Sequence, residues 1–354
     1  MEIHNTTNSV QSGQTGTKRI EYIDALRGFT MFLVVAHHIS NLCFNVVGNG
    51  LPSITLYLLQ IRMPLFFFIS GFVLYKAGVV WNSKQIISFF KKKIPVQLIS
   101  PFLFFATFIY ITDRNLIESI FADGKVGYWF TYVLFEYYVL YAVVRFCIRS
   151  KWADVVLVVL GICLYATRWP DLKYHLPIPG QVLSLLSFEH WYLFLFFAMG
   201  TLVKKHFNAV EKLLDNNWLI TVCVLFYFLS NAYKWGYVIP QIINYALLSI
   251  TGVIIVFCFF RKKQAIFSKE TRLGRAMQYT GRRTLDIYLL HYFFIPYNLT
   301  FFTLFKDHPM PILEFVASSV IAIIIIAACL LANNVIRLSP FLAHWLFGAK
   351  KVSN

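Results

Sequence analysis

The sequence predicts an all-α fold, a polytopic integral membrane bundle of about ten transmembrane helices, and three observations carry that prediction. Of 354 residues, 58% are hydrophobic and 14% charged, with a mean hydropathy of +0.63, whereas a soluble domain carries about a quarter charged residues. Apolar runs recur at the length of roughly 20 residues that crosses a hydrocarbon core of about 30 Å. Basic residues crowd into alternate connecting segments, the signature of membrane orientation. No run alternates strictly between polar and apolar positions, which argues against a β-barrel.

The runs fall near 28–47, 56–75, 94–112, 128–147, 153–168, 186–203, 218–234, 241–260, 284–305 and 312–335. With the amino terminus inside, the inner segments hold Lys18, Arg19, Arg27, the run Lys91, Lys92 and Lys93, and the cluster from Arg261 to Arg283. The outer segments hold only Arg114, Lys125, Arg168, Lys173, Lys234 and Lys306, and Arg62 falls inside a span. One missed span would scramble this asymmetry, so both termini are expected on the cytoplasmic side. The net charge of +16 is then mostly orientation signal, and no nucleic-acid partner is expected. Residues 1–20 read as a disordered tail without a cleavable signal, residues 21–348 as one transmembrane domain and 349–354 as a carboxy-terminal tail. Six scattered cysteines show no metal spacing and read as small buried hydrophobes; no metal site is expected.

Chemistry enters in the first run, YIDALRGFTMFLVVAHHIS. Arg27 and His38 are separated by about 16 Å of helical rise and only about 20° of rotation, so they share a face. Asp24, three residues before Arg27, is close enough to fix its guanidinium. A neutral imidazole at mid-membrane suits proton abstraction from a hydroxyl; the plain alternative is an interhelical hydrogen bond. His37 lies about 100° away and reads as polar glue. Arg62 either faces a cavity as an oxyanion stabiliser, pairs with Glu136 or Asp286, or snorkels. Glu136 is a candidate on the acceptor side. Trp129 and Phe130 read as packing, and Glu189 and His190 as interfacial. The basic linker 261–283 reads as a lipid anchor, with Gly281 as a turn and Thr284 as the N-cap of the next helix.

The order of motifs resembles acyltransferase family 3. YIDALRG with His38 is similar to that family's R-x10-H start. RMPLFFFISGFVLYK, FFKKKIPVQLISPFLFF, GYWFTYVLFEYYVL, YTGRRTLDIYLLHYFFIP and LFGAKK follow in the family's order. The resemblance implies His38 as catalytic base, with Arg62 read as its catalytic partner from the cost of a cation inside a span, and a cytoplasmic acyl-CoA donor, chiefly acetyl-CoA. It further implies a donor site of Arg27, Lys91, Lys92, Lys93 and His291. The family's second basic motif, R-x-x-R, is replaced here by the lysine run followed by Pro95 and Val96, so point charges stand where bidentate arginines are usual. The implied acceptor is a hydroxyl of a sugar or lipid-linked envelope glycan, and the implied place a bacterial cytoplasmic membrane, with lipid as surroundings. The competing reading is a proton-coupled transporter using His38, Arg62, Glu136 and Asp286; no inverted repeat or paired helix break supports it.

Overall fold

A computed structural model describes residues 19–46, 53–169, 172–232, 240–297, 305 and 309–347. The tails assigned to 1–20 and 349–354 fall almost entirely outside these residues. The described residues are helical and contain no strand. The principal helices are α1 (Glu21–Leu42), α2 (Ile54–Leu74), α3 (Ser83–Ile94), α4 (Ser100–Ile111), α5 (Leu116–Phe121), α6 (Trp129–Cys147), α7 (Trp152–Tyr165), α8 (Leu172–His175) and α9 (Gly180–Leu185). They continue with α10 (Phe194–Lys205), α11 (Phe207–Leu214), α12 (Asn217–Ala232), α13 (Gln241–Lys262), α14 (Arg272–Arg282), α15 (Thr284–Phe294) and α16 (Pro311–Ile336), then a short helix Pro340–Phe347.

Each predicted apolar run carries helix, but the runs are not equivalent. Five helices are long and apolar enough to cross a bilayer alone: α2, the continuous stretch Ser83–Ile111, α6, α13 and α16. α11 and α12 together pass the same test across a bend of 71°. By contrast α7, α10 and α15 have 14, 12 and 11 residues. α1 has 22 residues but opens with Glu21, Asp24 and Arg27, charges that keep its first turns from reading as lipid-embedded.

Two sequence expectations change. The lysine run is not a loop before the third span. It lies on α3, which Asn82 caps by accepting from the Gln85 amide at 2.9 Å. A π-helical segment, Pro95–Ile99, joins α3 to α4, where proline withholds a donor from the regular ladder. The basic linker likewise contains α14, capped by Thr271 Oγ1 accepting from Gly274 at 2.8 Å. α14 packs backbone to backbone on α1: a Cβ on Gly28 would strike the Met277 carbonyl, and one on Gly281 the Asp24 carbonyl. Small residues at such crossings are what close helix association in lipid requires. Gly281→Val is therefore expected to shift α14 off α1 and abolish recovery of monodisperse protein by size exclusion. Of the cysteines, Cys223, Cys258 and Cys329 are buried as expected, while Cys147 and Cys163 are exposed on the bundle's outer surface.

A buried polar knot ties α1, α2 and α16. Glu314 is 1% exposed and accepts from Ser53 Oγ at 2.5 Å and Ser318 Oγ at 2.8 Å. Thr55 extends the chain to Ser53 at 2.5 Å and Ser40 at 3.0 Å. Glu314→Leu would orphan at least two buried hydroxyls, at about 1–3 kcal/mol each. The expected result is a lower unfolding temperature in detergent for Glu314→Leu and a smaller drop for Glu314→Gln.

Candidate active site

Two cavities meet inside the bundle. The larger, about 470 Å³, is walled by α1, α2, α3, α6 and α15, and its cationic lining is Arg27, Lys76, Lys92 and Lys93. The Lys93 ammonium lies 4.7 Å from the Tyr138 ring centroid and 5.6 Å from that of Phe89, a cation–π seat that holds the charge at the wall. Arg27 donates from Nη2 to Thr284 Oγ1 at 3.1 Å. Thr284 does not cap α15 with its side chain, as its sequence setting suggests; its hydroxyl takes the Arg27 bond and donates to the Gly281 carbonyl at 3.4 Å.

The expected Asp24–Arg27 ion pair is not formed. Asp24 pairs with Arg19 at 2.7 Å, and Thr284 orients the guanidinium in its place. Lys91 is exposed and lies outside the cavity wall, which Lys92 and Lys93 line. Lys76, Trp81 and Gln97 line the cavity and were not foreseen: Lys76 and Trp81 lie on the connection between α2 and α3, and Gln97 on the π-helical segment.

The smaller cavity is lined by Val34, His38, Arg62, Met63, Phe66, Gly127, Trp129, Phe130 and Tyr288. It joins the two residues expected to do chemistry. His38 is half-buried, and its Nε2 is hydrogen-bonded to the Tyr292 hydroxyl at 3.1 Å. The His291 ring lies 5.3 Å away, and that of Tyr292 5.1 Å. His291 is fully buried. Its Nδ1 sits 2.7 Å from the Tyr288 carbonyl and 3.2 Å from that of Ile287. Only an Nδ1–H tautomer can satisfy those acceptors, which leaves a lone pair on Nε2, and that atom has no partner. The structure thus places His291 beside His38 and not on the basic wall expected of it.

Arg62 makes no ion pair among the described residues, and its Nε is buried without a partner. The partners expected for it are occupied elsewhere. Asp286 accepts from Arg337 at 2.8 Å, and Glu136 Oε2 accepts from Trp191 Nε1 at 3.0 Å. Glu136 does not line the His38 cavity, and its Oε1 is buried and unpartnered. His37 is buried on another face of α1, 7% exposed.

Phe66, Phe130 and Tyr288 line both cavities and form the partition between them. Phe66 and Phe130 meet edge to face at 4.5 Å, and Phe130 and Tyr288 at 5.4 Å. The Tyr288 hydroxyl accepts from the Phe130 amide at 3.1 Å and donates to the Gly127 carbonyl at 2.8 Å, locking the partition to the α6 entrance. Gly127 has a φ of 97°, open to glycine and disfavoured for other residues. A Cβ there would run into the Tyr292 hydroxyl. Gly127→Ala is accordingly expected to disturb the Tyr292–His38 contact and cut activity without loss of folded protein, a split that size exclusion and an activity assay together resolve. Trp129 and Phe130, read as packing from sequence, both wall the His38 cavity, and Trp129 stacks on His190 at 3.7 Å. Tyr292 and the partition carried no sequence signal beyond one more aromatic in an aromatic-rich span.

Among the described residues no group of three His, Cys, Asp or Glu side chains gathers as a metal site. A family model described as an acyltransferase domain matches residues 20–331. The chain is similar to the serine/alanine racemase of Enterococcus gallinarum, 24% identical over 298 residues, which is 78% of this chain and 40% of the racemase. It therefore spans about two fifths of that relative's length. No solved structure matches.

Proposed function

The chain belongs to the acyltransferase family whose domain spans residues 20–331, and from that premise we propose that it moves an acyl group, acetyl foremost, from acyl-CoA to a hydroxyl of a sugar or cell-envelope glycan. The observation that carries the reading is the meeting of a basic cavity with a His–Arg cavity across one aromatic partition. In this reading the protein spans the membrane about ten times, with both termini and the basic cavity on the cytoplasmic side, in a bacterial cell membrane. Arg27, Lys92 and Lys93 hold the CoA phosphates, with Lys91 contributing only long-range charge. The pantetheine arm runs along the α1 face and presents the thioester past Phe130. Asp24 supports Arg27 indirectly, by neutralising Arg19. Glu136, held by Trp191, stands on the acceptor side.

His38 works as general base. With Nε2–H donating to the Tyr292 oxygen, Nδ1 carries the lone pair, and Tyr292 stabilises the imidazolium once it forms. Nδ1 takes the acceptor's hydroxyl proton as the oxygen attacks the thioester carbonyl. Arg62 faces the oxyanion of the tetrahedral intermediate. Collapse breaks the C–S bond, and the CoA thiolate recovers the proton from His38. His291, its Nδ1–H held by backbone carbonyls, is a neutral neighbour of the ring.

Purified protein in nanodiscs, without any gradient, is expected to transfer labelled acetyl from acetyl-CoA to a glycan acceptor. Gradient-dependent flux without turnover would refute the proposal. Arg27→Gln with Lys93→Gln should raise the CoA dissociation constant by about 10–100-fold, from two charge-assisted contacts at roughly 1.5–3 kcal/mol each and partial compensation by Lys76 and Lys92. Isothermal titration with CoA checks this.

A further inference from the structure

A third cavity, about 320 Å³, lies at the opposite end of α2 from the basic one. It is lined by Thr167, Arg168, Trp169, Lys173, Phe188, Glu189, Tyr192 and Tyr245. Gln60, bonded to this wall, precedes Leu74 of the basic cavity by about 21 Å of helical rise. Its volume is at the low end for small-molecule pockets.

Arg168 stands apart among the charged residues of this wall. Lys173 pairs with Asp123 at 2.7 Å, holding that carboxyl below its ordinary range. Glu189 Oε1 lies 3.0 Å from His190 Nδ1, an ion pair only when that imidazole is protonated, and accepts from the Gly124 amide at 3.2 Å. Arg168 has no carboxylate partner among the described residues. Its guanidinium lies over the rings of Tyr245, at 4.6 Å, and Tyr192, at 4.7 Å, cation–π contacts that hold it in place. Nη2 donates to Gln60 Oε1 at 3.2 Å, while Nε has no partner. Thr167 Oγ1 is also buried and unpartnered. Beside them Trp169 is 61% exposed, a flat apolar platform.

A rigid guanidinium edge is a carboxylate or phosphate receptor, and an exposed indole beside it suits the apolar face of a sugar ring. One stacked pair of rings separates this cavity from the chemistry: Glu189 of its wall precedes His190, whose ring stacks on Trp129 of the His38 cavity.

We propose that this cavity is the acceptor site and that the acceptor is an anionic sugar, its carboxylate or phosphate on the Arg168 edge and its ring on Trp169 and Tyr192. This rests on the transferase reading above and narrows its acceptor to acidic glycans.

Binding is tested in the His38→Ala protein, where no turnover intervenes, in phosphatidylcholine nanodiscs by saturation-transfer NMR. The probes are methyl β-glucuronide, glucose 1-phosphate and methyl β-glucoside. The two anionic probes are expected to bind at least about tenfold tighter than the neutral one, the scale of one charge-assisted contact. Arg168→Gln should erase that difference while CoA binding stays intact, showing the variant is folded; Arg168→Lys should restore only part of it. Equal binding of all three probes, or a preference that survives Arg168→Gln, overturns the proposal. Loss of the preference when phosphatidylglycerol replaces phosphatidylcholine would assign Arg168 to lipid headgroups and overturn it too. Failure here with gradient-free acetyl transfer intact leaves the transferase standing and removes only the anionic acceptor.

Discussion

His38→Ala is expected to slow acyl transfer by about 10²–10⁴-fold, the range of a lost general base, with no change in CoA affinity. The separation follows from geometry. His38 lines the small cavity and Arg27 the large one, with the Phe66–Phe130–Tyr288 partition between them. Labelled-acetyl transfer and CoA titration on one preparation measure the two quantities side by side. Tyr292→Phe removes only the hydroxyl at 3.1 Å from Nε2. It should produce a smaller loss and a shift of the pH–rate profile, because Tyr292 positions the ring and stabilises its protonated form. In the His38→Ala background the same substitution should add nothing, since residues acting as a unit are not additive. Wild-type transfer by His38→Ala would end the general-base assignment.

Arg62→Met is expected to lower kcat by roughly 10²–10³-fold, as for removal of an oxyanion donor, with the KM for acyl-CoA nearly unchanged. A cation inside a membrane bundle is retained only where something needs it, and Arg62 has no counter-ion among the described residues. If the side chain merely snorkelled toward an interface, methionine would preserve its packing and leave kcat alone. Steady-state kinetics of Arg62→Met and Arg62→Lys separate the cases: partial recovery by lysine is the mark of charge at the reacting carbonyl.

The alignment of Arg27 with His38 was legible because it depends on one helix and its 100° step. The partners of that helix were not. Arg27 meets Thr284 across 257 positions and His38 meets Tyr292 across 254, and periodicity says nothing about which distant face arrives. Asp24 shows the error this produces: three-residue spacing permits the Arg27 pair, yet Arg19 lies closer to its carboxylate. The lysine run resembled a basic turn into the third span, whereas a π-helical segment carries the helix through. Arg168 looked like an ordinary charge of an outer segment and Glu314 drew no reading; their meaning comes from rings and hydroxyls gathered from other helices. The helical class and the approximate limits of the long helices were readable, because hydropathy alone sets them.

The partition has a physiological corollary. A catalyst open to water at both ends would short-circuit the ion gradients on which its host membrane depends. Three interlocked rings, one anchored to backbone at Gly127, stand where the two cavities meet, so under the proposed reaction a neutral thioester would meet an aromatic wall there and not an open channel for hydrated ions.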